Sequence, residues 1–581
     1  MKNKTIKKIA SLLALTLTAT AAFAGCGKKD QTNNETPSTS SESQSESSES
    51  SDAVVEKTGS IKVMYSDRAV IPDAEGDVNN NRWTEWIREN APVAEIEFIG
   101  IPKAEAYETM SLQFAGGTGP DLYPNTEARL TDFYQQGMAM EITDEMLDKM
   151  PNYKALLEKY PALVKNNSRN GKLVGFGVYS PYGCNHTMVV RQDWMENLGI
   201  STPTTIDEFY DMLYAFTYND PDGNGVNDTW GINMTTDAQR VTAHMFGFGN
   251  PEKYKFDENG DLVYAWDNIE AWLEFAKKVV DNKLVNPDYL TMKGDDDQAD
   301  FLNSKIGVYC SGRFVNSNRY NLFKSVKEQM PETTKLTTFA LPETEFGRYT
   351  ANPNSGIATN GFISTDCKDL DATLAYANWL YDPAVSEYLY YGPEGEYYEK
   401  NEYGTWFALD TEKNKAEYAY ASDYCVMNVA KSILADDSYS ARANDEYNVC
   451  LSSDDELLQE FGVLYYDLFS IANEPGVSDP RVWLTQGKPA LEDELALILS
   501  TTDKLVDDTL KAGIADSSKT AAEVVAEAKA TWVAAGGERV DEWFANYYAT
   551  EEMALLPADF EGLKVVPEMT PIAAENAAKF Q

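Results

Sequence analysis

The chain has 581 residues, 49 of them basic and 93 acidic, for a net charge of −44. A polyanion of this kind does not bind nucleic acid or an anionic membrane surface through bulk electrostatics, and solvated Asp and Glu faces account for the balance without naming a ligand. Six cysteines and two histidines leave little material for a disulfide framework, a zinc centre or a Ser-His-Asp triad.

The amino terminus is organised as a leader. Lys2, Lys4, Lys7 and Lys8 form a basic start, and Ile9 to Ala22 an apolar run too short to span a bilayer comfortably. Phe23-Ala-Gly-Cys26 follows. Small residues before a cysteine resemble a bacterial lipobox, so residues 1–25 are expected to be cleaved and Cys26 to carry the lipid, a palmitate-type anchor to the membrane. Phe23 departs from the usual Leu, and ordinary secretion with cleavage after Ala24 is the alternative. Residues 26–58 shift to Ser, Glu, Thr, Asn and Gln, too polar to offset ordering entropy, and are expected to form a disordered tether. Its reach grows as about 5–6 Å times the square root of its length, which holds the folded part off the membrane.

Beyond the tether the chain exceeds one typical core, so two or more domains are expected. Ile61 to Tyr65 reads as a strand, followed by a helix with Trp83, Trp86 and Ile87 on one face. Ile96 to Ile101 is a second strand. A helix presenting Tyr107, Met110 and Phe114 ends at Gly116-Gly117, and Asp121-Leu-Tyr123 opens a third strand. This βαβα order argues for a parallel sheet with right-handed crossovers. Further strands are expected at Leu173–Tyr179, Thr187–Arg191, Ile306–Cys310, Leu336–Leu341 and Gly356–Ser364, with a mainly helical pattern from about Ala372 onward.

The densest information lies between Arg191 and Asp228. Thr205 with Glu208 three residues on reads as a capping box, and Ile206, Phe209, Leu213 and Phe216 recur at helical spacing. The helix runs into Asp220-Pro-Asp-Gly-Asn-Gly-Val-Asn-Asp228. Oxygen donors fall at alternate positions, Asp220, Asp222, Asn224, the Val226 carbonyl and Asp228, with Gly225 where the loop must turn. A hard cation that wants six to eight oxygens is served by this spacing, so a structural Ca²⁺ is expected. The twelfth position is Gly231 rather than a bidentate Glu, and an Asx/Gly-rich surface turn is the bland alternative.

With these residues in hand, the chain resembles the extracellular solute-binding lipoproteins of carbohydrate-type ABC importers, in their large Gram-positive form. The segments that carry the likeness are RQDWMENLGI leading through PTTIDEFYDML into DPDGNGVND, together with PNYKALL at Pro151–Leu157, QQGMAMEIT at Gln135–Thr143 and YGPEGEYYE at Tyr391–Glu399. The resemblance implies an α/β fold of two periplasmic-binding-protein-like lobes, each a mainly parallel sheet flanked by helices, with a helical C-terminal region. It also implies more than one crossing between lobes, placed near Tyr182–His186 and Pro353–Ile357. The expected lobes are 59–183 with 356–399, and 184–355 with most of 400–581. The implied role is capture of a solute by lobe closure at the outer face of the cell membrane and delivery to permease subunits, by a monomer that is not itself an enzyme.

In such a fold the ligand sits where loops at the carboxyl ends of strands converge. The candidates are Asp67 and Arg68 after the first strand, Trp83 at the next helix start, and Asn125 and Glu127 after the third strand. Tyr179 and Tyr182 lie by the crossing, Arg313 follows the strand ending at Cys310, and Asn354 lies by the return. Tyr391 and Glu394 occupy a turn, while Trp230 and Trp266 divide between cleft platforms and covers for the calcium region. Aromatic planes suit the C–H faces of sugars, and Asp, Glu, Asn and Arg suit their hydroxyls; the resemblance, together with 11 Trp and 34 Tyr, implies an oligosaccharide rather than a peptide or other polar solute. Trp86, Trp194, Trp379 and Trp543 fall in helical patterns and read as core. His186 and His244 read as structural, and Cys184, Cys310, Cys367, Cys425 and Cys450 mostly as buried small hydrophobes. Two other readings are a secreted polysaccharide hydrolase or lyase, which needs only a pair of carboxylates, and a surface sensor or adhesin using the same cleft.

Overall fold

The computed structural model describes residues 57–125, 129–179, 184–249, 253–312, 319–350, 352–353, 357–418, 420–429, 442–481 and 489–580. The leader, Cys26 and the tether lie outside them.

The first sheet grows from β1 (Thr58–Asp67) and β2 (Val93–Pro102), which pair in parallel with Ile61 beside Ile96 and Val63 beside Phe98. Between them runs α1 (Arg82–Asn90), started by the Asn81 side chain, which accepts from the amides of Trp83 and Thr84. Helix α2 (Ala106–Ala115) carries the chain to β3 (Leu122–Tyr123), stopping at Gly116 and at Gly117, whose φ of +64° is the left-handed turn a glycine permits. After α3 (Leu130–Gln135) and a short hairpin (Ser168–Arg169 with Lys172–Leu173), the chain forms β4 (Phe176–Tyr179). From Val63 to Tyr65 β1 is buried at every position, because helices cover both faces.

The second sheet contains β5 (Cys184–Arg191), β6 (Trp230–Ile232), β7 (Ile306–Ser311) and β8 (Leu336–Thr337) in the order β8-β5-β7-β6, with β9 (Asn352–Pro353) also on β5. Its apolar cover begins with α4 (Ile206–Tyr218), α5 (Thr236–Met245) and α6 (Trp266–Asp281). Then β10 (Ile357–Ile363) returns to the first sheet, whose order is β2-β1-β3-β10-β4.

Parallel pairing holds along β2-β1-β3 and for β6 with β7, but β10 is antiparallel to both β3 and β4, and β5 is antiparallel to β7, β8 and β9. This departure from mainly parallel sheets has a topological cause. A chain that leaves a lobe at the carboxyl edge of its sheet enters the other lobe, or comes back, by that same edge, and so must run against the strands it joins. The two crossings lie side by side, with Asn352 opposite His186 and Pro353 opposite Cys184.

The helical remainder divides differently from expectation. Helix α7 (Glu456–Ala472) covers the far face of the second sheet, while α8 (Asp493–Ala515), α9 (Ala521–Ala534) and α10 (Gly537–Thr550) extend the core around α6. The first lobe, however, does not end at Glu399. Tyr418, Tyr420, Tyr424 and Val429 join its core, Tyr424 packing 4.6 Å from Tyr65 and 4.9 Å from Phe98 between ring centres. Leu555, Phe560 and Leu563 return to it from the far end of the chain, and Lys165 pairs with Asp559 at 2.9 Å. Amphipathic periodicity shows which face of a helix is buried, not which lobe it covers. Trp194 is fully buried as read, and Cys310, Cys425 and Cys450 are buried too. Among the described residues no helix is long and apolar enough to cross a membrane.

His244 is fully buried on α5, beside Asp479 and Arg481. Burial, opposed by Asp479 and reinforced by Arg481, lowers its pKa from 6.5 to about 4. The unfolded chain therefore takes up a proton before the folded one does. The stabilisation from His244 is complete above pH 6.5 and lost as pH falls to about 4, amounting to roughly 3 kcal/mol. Chemical denaturation across that range is expected to show this loss, with His244→Gln flattening it; an unaltered profile would rule out a neutral buried ring.

Candidate ligand cleft and calcium loop

Both sheets turn their carboxyl edges toward the crossing. In the first lobe, Asp67 ends β1 and its Oδ1 accepts the Ala69 amide at 2.7 Å. Arg68 forks onto Asp423, with Nε and Nη2 at 3.1 and 2.8 Å from Oδ2, and Tyr65 donates to the same oxygen at 3.4 Å. Burial pushes the Asp423 carboxyl up and outweighs the help of Arg68 and Tyr65. Asn125 is half-buried just after β3.

In the second lobe the antiparallel entry of β5 sets Thr187 opposite Ser311, so His186 lies at the carboxyl edge of β7. Its Nε2 is 2.6 Å from Arg240 Nη1 and 3.4 Å from Asp237 Oδ1. Burial raises Asp237, but His186, Arg240 and the Gly312 amide prevail and hold it below the usual carboxylate range. Beyond β6, Asn233 and Thr235 donate to Asp297 at 3.0 and 3.2 Å, yet burial pushes that carboxyl up to about 6, with Asp300 and Asp237 adding to the rise. The edges thus present fixed carboxylates, two guanidiniums and an imidazole, a set suited to directional hydrogen bonds with a polar solute.

Several residues expected in the cleft lie elsewhere. Trp83 is 3% exposed, donates Nε1–H to the Glu417 carbonyl at 2.5 Å and is boxed by Tyr388, Tyr397 and Tyr418. Its position in the first turn of α1 points it into the first-lobe core. Trp83→Ala is expected to cost about 3–5 kcal/mol of stability in denaturant unfolding, with ligand affinity little changed in the folded fraction. Tyr391 is buried against Tyr398 and Trp406, and Glu394 is exposed on the adjoining hairpin. Tyr179 reaches the crossing but is buried, stacked on Tyr160 at 4.0 Å with its hydroxyl donating to the Leu563 carbonyl at 3.3 Å. Trp230 packs against the core around α7, and Trp266 stacks on Tyr264 at 4.1 Å. Glu127, Tyr182, Arg313 and Asn354 lie outside the described residues. His186, Asp237, Arg240 and Asp423 were not among the candidates; only strand direction puts His186 at this edge, and no local motif announces the rest.

The loop after α4 begins from a secure base. Thr205 accepts the Glu208 amide at 3.3 Å while Glu208 accepts the Thr205 amide at 3.2 Å, the capping box read from sequence. Asp220 takes a φ of +49°, Gly223 +69° and Gly225 +82°. The Gly225 amide donates to Asp220 Oδ2 at 2.9 Å, and the Val226 amide to Asn224 Oδ1 at 2.7 Å. Asp220 Oδ1 is buried and accepts no hydrogen bond from the described residues. Lys305 meets Asp228 Oδ2 at 2.5 Å and holds that carboxyl below its usual range. A twelfth-position ligand is sterically barred: a Cβ on Gly231 would lie 2.7 Å from the Leu213 carbonyl. Among the described residues no three His, Cys, Asp or Glu groups are gathered tightly enough to hold a metal ion.

Two sheets joined by paired crossings, with polar carboxyl edges bordering them, define the two-lobed architecture of a solute-binding protein. The chain belongs to the bacterial extracellular solute-binding protein family, which matches residues 81–387, just over half its length. It is 26% identical over 342 residues to the lipoprotein LipO of Bacillus subtilis, and 26% identical over 319 residues to the polygalacturonan/rhamnogalacturonan-binding protein YtcQ of the same organism. These matches cover 56% and 53% of this chain, and 65% and 62% of those relatives. The fructooligosaccharide ABC transporter substrate-binding protein FusA of Streptococcus pneumoniae is 24% identical over 72% of this chain and 76% of its own. The structure of FusA in complex with kestose superposes with a TM-score of 0.57 at 17% identity, over 84% of this chain and 99% of that one.

Proposed function

We propose that this chain is the lipid-anchored, solute-capturing component of an ABC importer, and that its solute is an oligosaccharide. The carrying observation is the pair of polar carboxyl edges on either side of the crossing, one holding Arg68 and Asp423 and the other His186, Asp237 and Arg240. A solute that bonds to both edges favours the closed arrangement by the difference in its contacts between the two states. YtcQ and FusA are named for glycan ligands, which supports this ligand class. The anchor would be Cys26, with the tether keeping the lobes clear of the bilayer. The role assigns no catalysis to the chain, and the permease partner supplies transport.

Calcium would be held by Asp220, Asp222, Asn224 and the Val226 carbonyl, with Asp228 reached by displacing Lys305. The ion would fasten the end of α4 to the start of β6, a structural rather than a ligand-binding task.

The test is a thermal-melt screen of the purified protein in calcium against fructo-oligosaccharides, pectic oligosaccharides, simple sugars and peptides. A ligand at about 100 times its Kd is expected to add roughly 2.7 kcal/mol of stability. A shift with one glycan class and recovery of that glycan uncut supports the proposal. A shift with peptides alone overturns the ligand class, and shortened glycan would favour the hydrolase reading.

A further inference from the structure

The two lobes also meet away from the cleft. Helix α3 runs from the carboxyl edge of the first sheet back to its amino edge, where Ala139 bridges Ser364 and the Met140 amide donates to the Ile363 carbonyl. There the side chain of Gln135 donates from Nε2 to the Leu491 carbonyl of the second lobe at 2.6 Å. The neighbouring hairpin turns through Asn170 and Gly171, both at positive φ, and a Cβ on Gly171 would sit 3.7 Å from both carboxylate oxygens of Glu551.

Between these elements lies a pocket of about 350 Å³, walled by α3 and the hairpin on one side and by the start of α8, α10 and Glu551 on the other. Tyr134, Trp543 and Tyr547 supply aromatic surface, with Trp543 and Tyr547 stacked at 5.3 Å and 11°. Trp543 is only half-buried, in contrast to the core position its helical pattern suggests. Glu492, Asp493 and Glu551 supply acceptors, and none of the described residues lining the pocket is basic. The volume falls in the range of small-ligand sites. Flat apolar faces beside surplus acceptors match a ring that has C–H faces and donates from several hydroxyls.

We propose that this pocket is a second carbohydrate site, taking a single sugar ring, and that its filling biases the spacing of the lobes because both contribute its walls. The inference stands on the chemistry of the pocket and not on what the cleft carries. A ligand touching both walls must bind one lobe arrangement better than another, which is the requirement for coupling.

Titration of the purified protein with glucose, galactose, fructose and, separately, tetramethylammonium tests it by calorimetry and ligand-detected NMR. One of the monosaccharides is expected to bind, and Tyr134→Ala with Glu551→Gln to weaken that binding about tenfold at an unchanged melting temperature. Glu551→Gln alone, which keeps the shape of the pocket, is expected to show part of the loss should the double variant fold poorly. A spin-label pair at Gln136 and Leu497, exposed positions flanking the Gln135–Leu491 contact and outside the pocket lining, is expected to change distance on monosaccharide addition. No monosaccharide binding, equal binding by the variants, an unmoved label distance, or binding of tetramethylammonium in place of sugar would each overturn the proposal. A bound monosaccharide that Glu551→Gln weakens, in a protein whose cleft takes no glycan, would sink the cleft assignment and leave this one standing.

Discussion

Calcium is expected to raise the melting temperature of the protein, and Asp220→Ala with Asp222→Ala to abolish the rise. The loop without an ion is held by compromises. Asp220 adopts a left-handed backbone conformation that a residue with a Cβ rarely occupies, and one of its carboxylate oxygens is buried with nothing to accept from. Asn224 turns its amide nitrogen toward Asp222 and Asp228, at 2.9 and 3.2 Å, which damps the repulsion between them. A divalent ion would give the buried Asp220 oxygen a partner and offset the repulsion among the carboxylates. Saturation at about 100 times Kd is worth roughly 2.7 kcal/mol, and the double variant should melt at one temperature in calcium and in chelator. Lys305→Ala sharpens the test. It removes the ammonium that already sits on Asp228, so calcium affinity is expected to rise while stability without calcium falls. A wild-type melt indifferent to calcium would remove the metal from this loop.

What the sequence showed and what it hid divide along physical lines. Signals completed within a few residues were legible: the Thr205–Glu208 box, the stop at Gly116-Gly117, and the short apolar runs that became β1, β2 and β3. Arrangements made by distant partners were not. Arg68 was chosen as a ligand residue on its place after a strand, but Asp423, which fixes its head, lies 355 residues away. Trp83 looked like a platform because a helix start near a sheet edge is a common place for one. Its burial depends on Tyr388, Tyr397 and Tyr418, which no local pattern links to it. The Asn170-Gly171 hairpin was not among the sequence readings; its two positive φ values suit those residues, but its position against Glu551 required the fold. His186 was read as structural, and the antiparallel entry of β5 is what places it at the cleft edge.

Arg191→Met is expected to be among the most damaging single substitutions, at about 3–5 kcal/mol. Arg191 ends β5 and is 2% exposed; its Nε and Nη2 grip the Asp193 carboxylate at 2.9 and 2.6 Å, and its guanidinium lies 4.4 Å from the ring centre of the fully buried Trp194. Removing the arginine leaves the Asp193 carboxylate, itself 8% exposed, without its counter-ion in a place water barely reaches. Asp193→Asn keeps the shape and removes one charge, so it strands the guanidinium instead, while Arg191→Met with Asp193→Leu removes both charges. The double variant is expected to recover much of the loss, because a matched apolar pair avoids the desolvation that either lone charge suffers. Denaturant unfolding of the wild type, Arg191→Met, Asp193→Leu and the variant carrying both closes the cycle. A loss near 1 kcal/mol for Arg191→Met would mean the pair behaves as a surface ion pair and the burial is not maintained in solution. The functional consequence follows from position. The same strand that ends in this clamp begins at Cys184, where the crossings lie side by side, so the clamp fixes the strand by which the chain enters the second lobe. Loosening it should lower ligand affinity through the cost of re-forming the edge, with affinity recovering in the double variant along with stability.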